Sequence, residues 1–187
     1  MCPRVSDKRE RLLDAAKTLI HRQGFKQTTL ADIAQESGVP LGNVYYYFKT
    51  KDEIAVAVID EHIEQFRAAT RELEQLEPDP RKRLVRFVRH AFERHEDIAS
   101  HGCPVGSLSQ ELSKEVTPLA HRMDGVMKAQ IEWAGAQFKA LGKRDAGDLG
   151  LELIARLQGV SLLANALKDC ELIGRQLRRV EAWLREV

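Results

Sequence analysis

Residues 29–48 read TLADIAQESGVPLGNVYYYF, and this stretch constrains the fold more than any other. It holds two helix-forming runs of about eight residues, parted by Gly38-Val39-Pro40. Helices so short are not stable alone in water, so both must be held by packing. Thr29 is placed to cap the first run, whose inner face is Leu30, Ile33 and Ala34, and Gly38 is placed to stop it. Pro40 opens the second run, where its missing N–H costs nothing. Ile33, Ala34, Val39, Val44 and Phe48 have the spacing of a miniature core. Tyr45, Tyr46 and Tyr47 cannot all join it, because a helix turns only one or two of four consecutive side chains inward. Two short helices joined by a tight turn, braced by a longer helix over residues 7–23, make a helix-turn-helix. The second helix suits the major groove of B-DNA, with its N-terminal residues at the base edges.

Charge supports a polyanion-binding head. The net charge is only +1, but residues 1–51 hold nine Lys/Arg against five Asp/Glu, and the remainder holds 20 against 23. A basic first quarter stands on a slightly acidic body.

The rest of the chain reads as helices with no strand, repeat or low-complexity tract. Ser6 is a candidate N-cap for the first helix, and Gly24 ends it. Thr50–Glu53 starts a long linking helix over residues 52–76. After the break EPDPRKR, one helix is expected over 80–99. Leu108, Leu112 and Val116 mark a short one, Pro118 begins another, and two apolar segments, about 146–168 and 171–186, close the chain. The expectation is an all-α protein of about nine helices, divided into a DNA-binding domain (1–51) and a helical ligand-binding and dimerisation domain (52–187).

Apolar and charged fractions of 43% and 30% are those of a globular protein. No apolar run reaches the length of a membrane span, and the first residues lack the apolar stretch of a signal peptide. Cys2, Cys103 and Cys170 are odd in number and widely spaced, unlike a disulfide framework. A cytoplasmic protein without membrane contact is expected. Phosphate-loop, dinucleotide and metalloprotease motifs are missing, so no enzyme, metal or cofactor is expected.

The segment TTLADIAQESGVPLGNVYYYFKTKDEI resembles the DNA-binding signature of the tetracycline-repressor (TetR) family of bacterial transcriptional regulators. The resemblance spans about residues 9–56 and extends to the long linking helix and helical body. It implies a homodimer on a palindromic double-stranded operator, usually a repressor, released by a small-molecule inducer not yet identified. Carried over by position, Thr28 and Thr29 stand at a helix N-terminus suited to phosphate. Leu41, Gly42 and Asn43 face base edges, Tyr45, Tyr46 and Tyr47 meet backbone or thymine methyls, and Lys51 meets phosphate. Pro40 and Tyr47 stand where the family often has Ser and His, and Leu41 replaces a commonly polar position.

Candidates for the ligand chamber are Phe87, Phe92, Cys103, Leu108, Met123, Met127, Ile131 and Trp133, although residues of these types are more often plain core. Leu157, Val160, Leu163, Ile173, Leu177, Val180 and Leu184 are the expected dimer surface, because two apolar helices end a chain whose target needs a twofold axis. Cys103, in the loop SHGCPVGS before a helix, reads as a small buried packing residue, with two alternatives: a thiol sensor of electrophiles or oxidants, or the nucleophile of a small helical enzyme. His95, His101 and Cys103 have no familiar metal-ligand spacing.

Overall fold

The computed structural model describes residues 5–187, with side chains from Asp7 onward; Cys2 lies outside the described residues. The described residues form ten α-helices and no strand: α1 (Val5–Gln23), α2 (Leu30–Ser37), α3 (Leu41–Tyr47), α4 (Lys51–Leu76), α5 (Pro80–Ala91), α6 (His95–His101), α7 (Pro104–Leu112), α8 (Pro118–Ala140), α9 (Ala146–Leu167) and α10 (Cys170–Glu186). The all-α class is as expected. None of the described helices is long and apolar enough to cross a membrane.

The chain groups into two compact units. One joins the residues up to His62 with Ser107–Asp124; the other joins Ile63–Gly106 with Gly125–Val187.

In the first unit, local chemistry sets the helix ends. Thr29 caps α2: its hydroxyl accepts the N–H of Asp32, while the Asp32 carboxylate accepts the backbone N–H of Thr29. Gly38 closes α2 in the left-handed region at φ 63°, where a Cβ would be strained, and Arg11 donates to the Ser37 carbonyl there. Pro40 precedes α3, and its carbonyl accepts the N–H groups of Asn43 and Val44. The inward residues Ile33, Val39, Val44 and Phe48 are all at most 4% exposed. Full burial of each stabilises the unit by about 1.5–3 kcal/mol, which is what makes helices of eight and seven residues tenable.

Several boundaries differ from expectation. Helix α1 begins at Val5, so Ser6 lies inside it rather than capping it. Val116 is 93% exposed because α7 stops at Leu112. The single helix expected over 80–99 is broken between α5 and α6. Its second piece is held by tertiary partners, since Asn165 and Lys168 donate to the carbonyls of Ala99 and Ser100 near the end of α6.

The second unit has a core drawn from α5, α6, α8, α9 and α10. Leu157, Val160, Ile173, Val180 and Leu184 lie in this core, and Leu177 packs partly buried against it. Five of these six are buried within the single chain, so their stripe needs no second copy to cover it. Their apolar stripe is a seam within one chain. Of the expected dimer set only Leu163 is open, at 54% exposed.

Candidate nucleic-acid interface

Helix α3 divides cleanly. Val44 is buried within it, and Phe48 follows it into the core, whereas Leu41, Gly42, Tyr45 and Tyr46 face outward. Tyr46 is 74% exposed and Tyr45 47%. Asn43 and Tyr47 are half-buried. The rings of Tyr46 and Tyr47 meet edge to face at 5.1 Å, which steadies Tyr46 without hiding it. Gly42 has open space where a Cβ would stand, so no packing demands it. What it does leave is a bare backbone in the first turn, suited to close approach by a partner.

Two basic residues near α3 are held by a carbonyl and by an aromatic ring. The Lys49 ammonium donates to the Tyr45 carbonyl at 2.7 Å, capping the end of α3. The Arg9 guanidinium lies 5.4 Å over the Phe48 ring. Neither residue is singled out by the sequence reading; Lys49 places positive charge at the exposed Tyr45, and Arg9 places it over Phe48.

Three expected phosphate ligands are placed otherwise. Thr28 is fully buried, and its hydroxyl donates to the Gly24 carbonyl at 2.8 Å, so it offers nothing to a phosphate. Thr29 is exposed, but its hydroxyl donates to Asp32 at 2.8 Å. Hydrogen bonds from the Thr29 side chain and then its backbone hold the Asp32 carboxyl below the usual carboxylate range. An ionised carboxylate thus occupies the anion site at the N-terminus of α2. Lys51 turns its ammonium onto the carbonyls of Phe25 (3.0 Å) and Lys26 (3.2 Å), 4.4 Å over the Phe25 ring. It braces the turn after α1. His62 adds no charge to this unit near neutral pH: burial first, then the repulsion of Lys17, lowers its pKa to about 4.

The ligand-chamber candidates are divided between the two units. Leu108 and Met123 belong to the first unit and are buried there. In the second unit Phe92 is part of the core, while Phe87, Ile131 and Trp133 pack partly buried against it. Phe66, Phe87 and Trp133 form an aromatic cluster with centroids 5.1–6.3 Å apart, and the Trp133 indole N–H donates to Glu74 at 2.9 Å. Met127 is half-buried. Cys103 is a half-buried free thiol whose sulfur accepts from the Gly106 N–H (3.4 Å) and the Gln158 amide (3.6 Å).

Comparison with known proteins agrees with this geometry. The family model described as bacterial regulatory proteins, tetR family, matches residues 12–58. The HTH-type transcriptional regulator LmrA of Bacillus subtilis is 30% identical over 165 residues, covering 86% of this chain and 82% of that one. Among solved structures, a TetR transcriptional regulator from Legionella pneumophila superimposes with a TM-score of 0.83 at 19% identity, over 92% of this chain and 95% of its own. The reduced form of NemR from Escherichia coli does so with 0.78 at 23% identity, over 92% and 95%.

Proposed function

Since this chain belongs to the tetR family of bacterial regulatory proteins and is a DNA-binding transcriptional regulator, we propose that it works as a homodimeric repressor. In this reading it occupies a palindromic operator and leaves it when a small molecule enters the helical body. Residues 1–51 bind DNA, residues 52–187 hold the inducer and the dimer surface, and the protein works in the cytoplasm, where the DNA is.

The observation that carries the reading is the outward face of α3, where Leu41, Gly42, Asn43, Tyr45 and Tyr46 are presented while Val44 is locked inside. Asn43 is the one amide on that face, and an asparagine amide matches the N6/N7 edge of adenine. Leu41 meets a thymine methyl, and the tyrosine hydroxyls meet phosphate. Lys49 supplies positive charge beside them. Thr28 and Lys51 act behind the surface, holding the turn that precedes α2.

The two kinds of contact separate by mutation. Asn43→Ala is expected to relax sequence preference at one position per half-site, costing about 1–3 kcal/mol against the preferred base. Tyr46→Ala is expected to weaken all sequences alike. Binding measured against a panel of single-base operator variants checks both. An unchanged preference profile in Asn43→Ala would mean that α3 does not read bases through this residue.

The dimer reading is supported by α9. Leu151, Leu162, Leu163 and Leu167 are each more than half exposed on one chain, although they belong to the most apolar of the helices. Leu151, Ala155, Gly159, Leu162 and Ala166 recur at intervals of three and four residues and share a face. A Cβ at Gly159 would meet nothing. A second copy of the same face is the self-complementary cover that a twofold axis provides.

A further inference from the structure

The unit that carries the helix-turn-helix takes in one segment from beyond residue 62, Ser107–Asp124. From that segment the Glu111 carboxylate reaches the turn after α1 and accepts two of its backbone N–H groups. One oxygen takes Phe25 N–H at 2.7 Å, the other Lys26 N–H at 2.6 Å. The carbonyls of the same two residues are taken by Lys51. Two charged side chains therefore grip one turn, the anion on its amides and the cation on its carbonyls. Gly24 makes room for this: its φ is 87°, and a Cβ there would stand 3.1 Å from a Glu111 oxygen.

Packing alone does not fix the turn. A cavity of about 450 Å³ opens beside it, lined by Phe25, Lys26, Val56, Glu111, Leu112 and Leu119 among others. Lys26 pairs with Glu115 at 3.1 Å across it, and Arg122 at its edge pairs with Asp60 at 2.6 and 2.8 Å. The turn in turn sets the start of α2, because Thr28 is buried with its hydroxyl on the Gly24 carbonyl and Thr29 is the α2 cap.

We propose that Glu111 is a positioning residue for DNA binding, holding the Phe25–Lys26 turn and through it the placement of α2 and α3. The proposal rests on the DNA-binding reading above. It makes a prediction of sign. A carboxylate that is merely near a DNA-binding face repels the polyanion, so removing its charge tightens binding or leaves it alone. Removing the charge of a positioning residue weakens binding.

The test is Glu111→Gln in the full chain, titrated on a DNA site that the wild-type protein selects, at several salt concentrations. Glutamine keeps the size but offers one acceptor oxygen for two N–H groups. Binding is expected to weaken about tenfold, with a plot of log K against log salt shallower by about one phosphate contact. Glu36→Gln removes the same charge from an exposed position on α2 and is expected to bind no more weakly than wild type. Amide exchange at Phe25 and Lys26 is expected to quicken in Glu111→Gln alone. Undiminished affinity with both amides deprotected overturns the proposal. So does a lowered melting temperature with an unchanged salt slope, the signature of a merely structural role. Failure of the DNA-binding reading itself shows elsewhere, as wild-type protein that selects no site.

Discussion

Replacing Leu162 and Leu163 together by glutamate is expected to give a folded monomer whose affinity for a full palindromic site falls by about a hundredfold or more. The single chain gives no reason for these substitutions to unfold it, since the two side chains are 55% and 54% exposed and contribute little to its core. In a symmetric dimer the same residues meet their own copies, so four carboxylates are brought into one apolar seam. Burying unpaired like charges costs far more than an interface of ordinary size gains. Two α3 helices linked through a dimer bind the second half-site at high effective concentration, and a monomer loses that advantage entirely. Sedimentation gives the mass and fluorescence anisotropy the affinity. A variant that stays dimeric would place the twofold seam elsewhere than on α9.

Gly150→Ala is expected to destabilise the second unit by about 1–3 kcal/mol, lowering the melting temperature by several degrees for a chain of this size. A methyl at residue 150 would stand 2.7 Å from the backbone nitrogen of Gly135 and 2.7 Å from the carbonyl oxygen of Ile131. Both are backbone atoms of α8, so nothing flexible can yield, and the two helices must part. Two effects compete. Alanine gains about 0.8–1 kcal/mol over glycine by helix propensity, but overpacking a backbone crossing exceeds that. Gly147→Ala, in the first turn of the same helix and facing open space, isolates the propensity term and is expected not to destabilise. Thermal melts of the pair check the difference. A Gly150→Ala protein as stable as Gly147→Ala would contradict the close approach of α8 and α9.

What the sequence disclosed and what it withheld divide along locality. The Thr29 cap, the Gly38 stop and the split of α3 into buried Val44 and exposed Tyr46 all follow from residues within one turn of each other. They are legible in twenty letters. Lys51 is a basic residue after a recognition helix, and nothing nearby says that its ammonium will find the carbonyls of Phe25 and Lys26. Thr28 looks like a second surface threonine until the left-handed Gly24 folds its hydroxyl back on the chain. Glu111 lies 86 residues from the amide of Phe25 and carries no local signal at all. The 4-3-4 stripe of α10 is a further case. Periodicity shows that Ile173, Val180 and Leu184 are covered but not by what, and the cover is the chain's own α5, α6 and α9. The apolar residues that one chain leaves open are instead Leu151, Leu162, Leu163 and Leu167 of α9. The glycine pair at 135 and 150 was silent for the same reason: a missing side chain has meaning only beside the backbone that approaches it.

The central claim is that the outward face of α3, backed by a basic rim, reads a specific DNA sequence. Its most direct test is a titration of the wild-type chain with DNA selected from random sequence, set against scrambled DNA of the same length, from low to high salt. The account predicts a selected palindrome bound at least about a thousandfold more tightly than scrambled DNA, with affinity falling steeply as salt rises. Equal affinity for both, or no affinity for either at low salt, would contradict it.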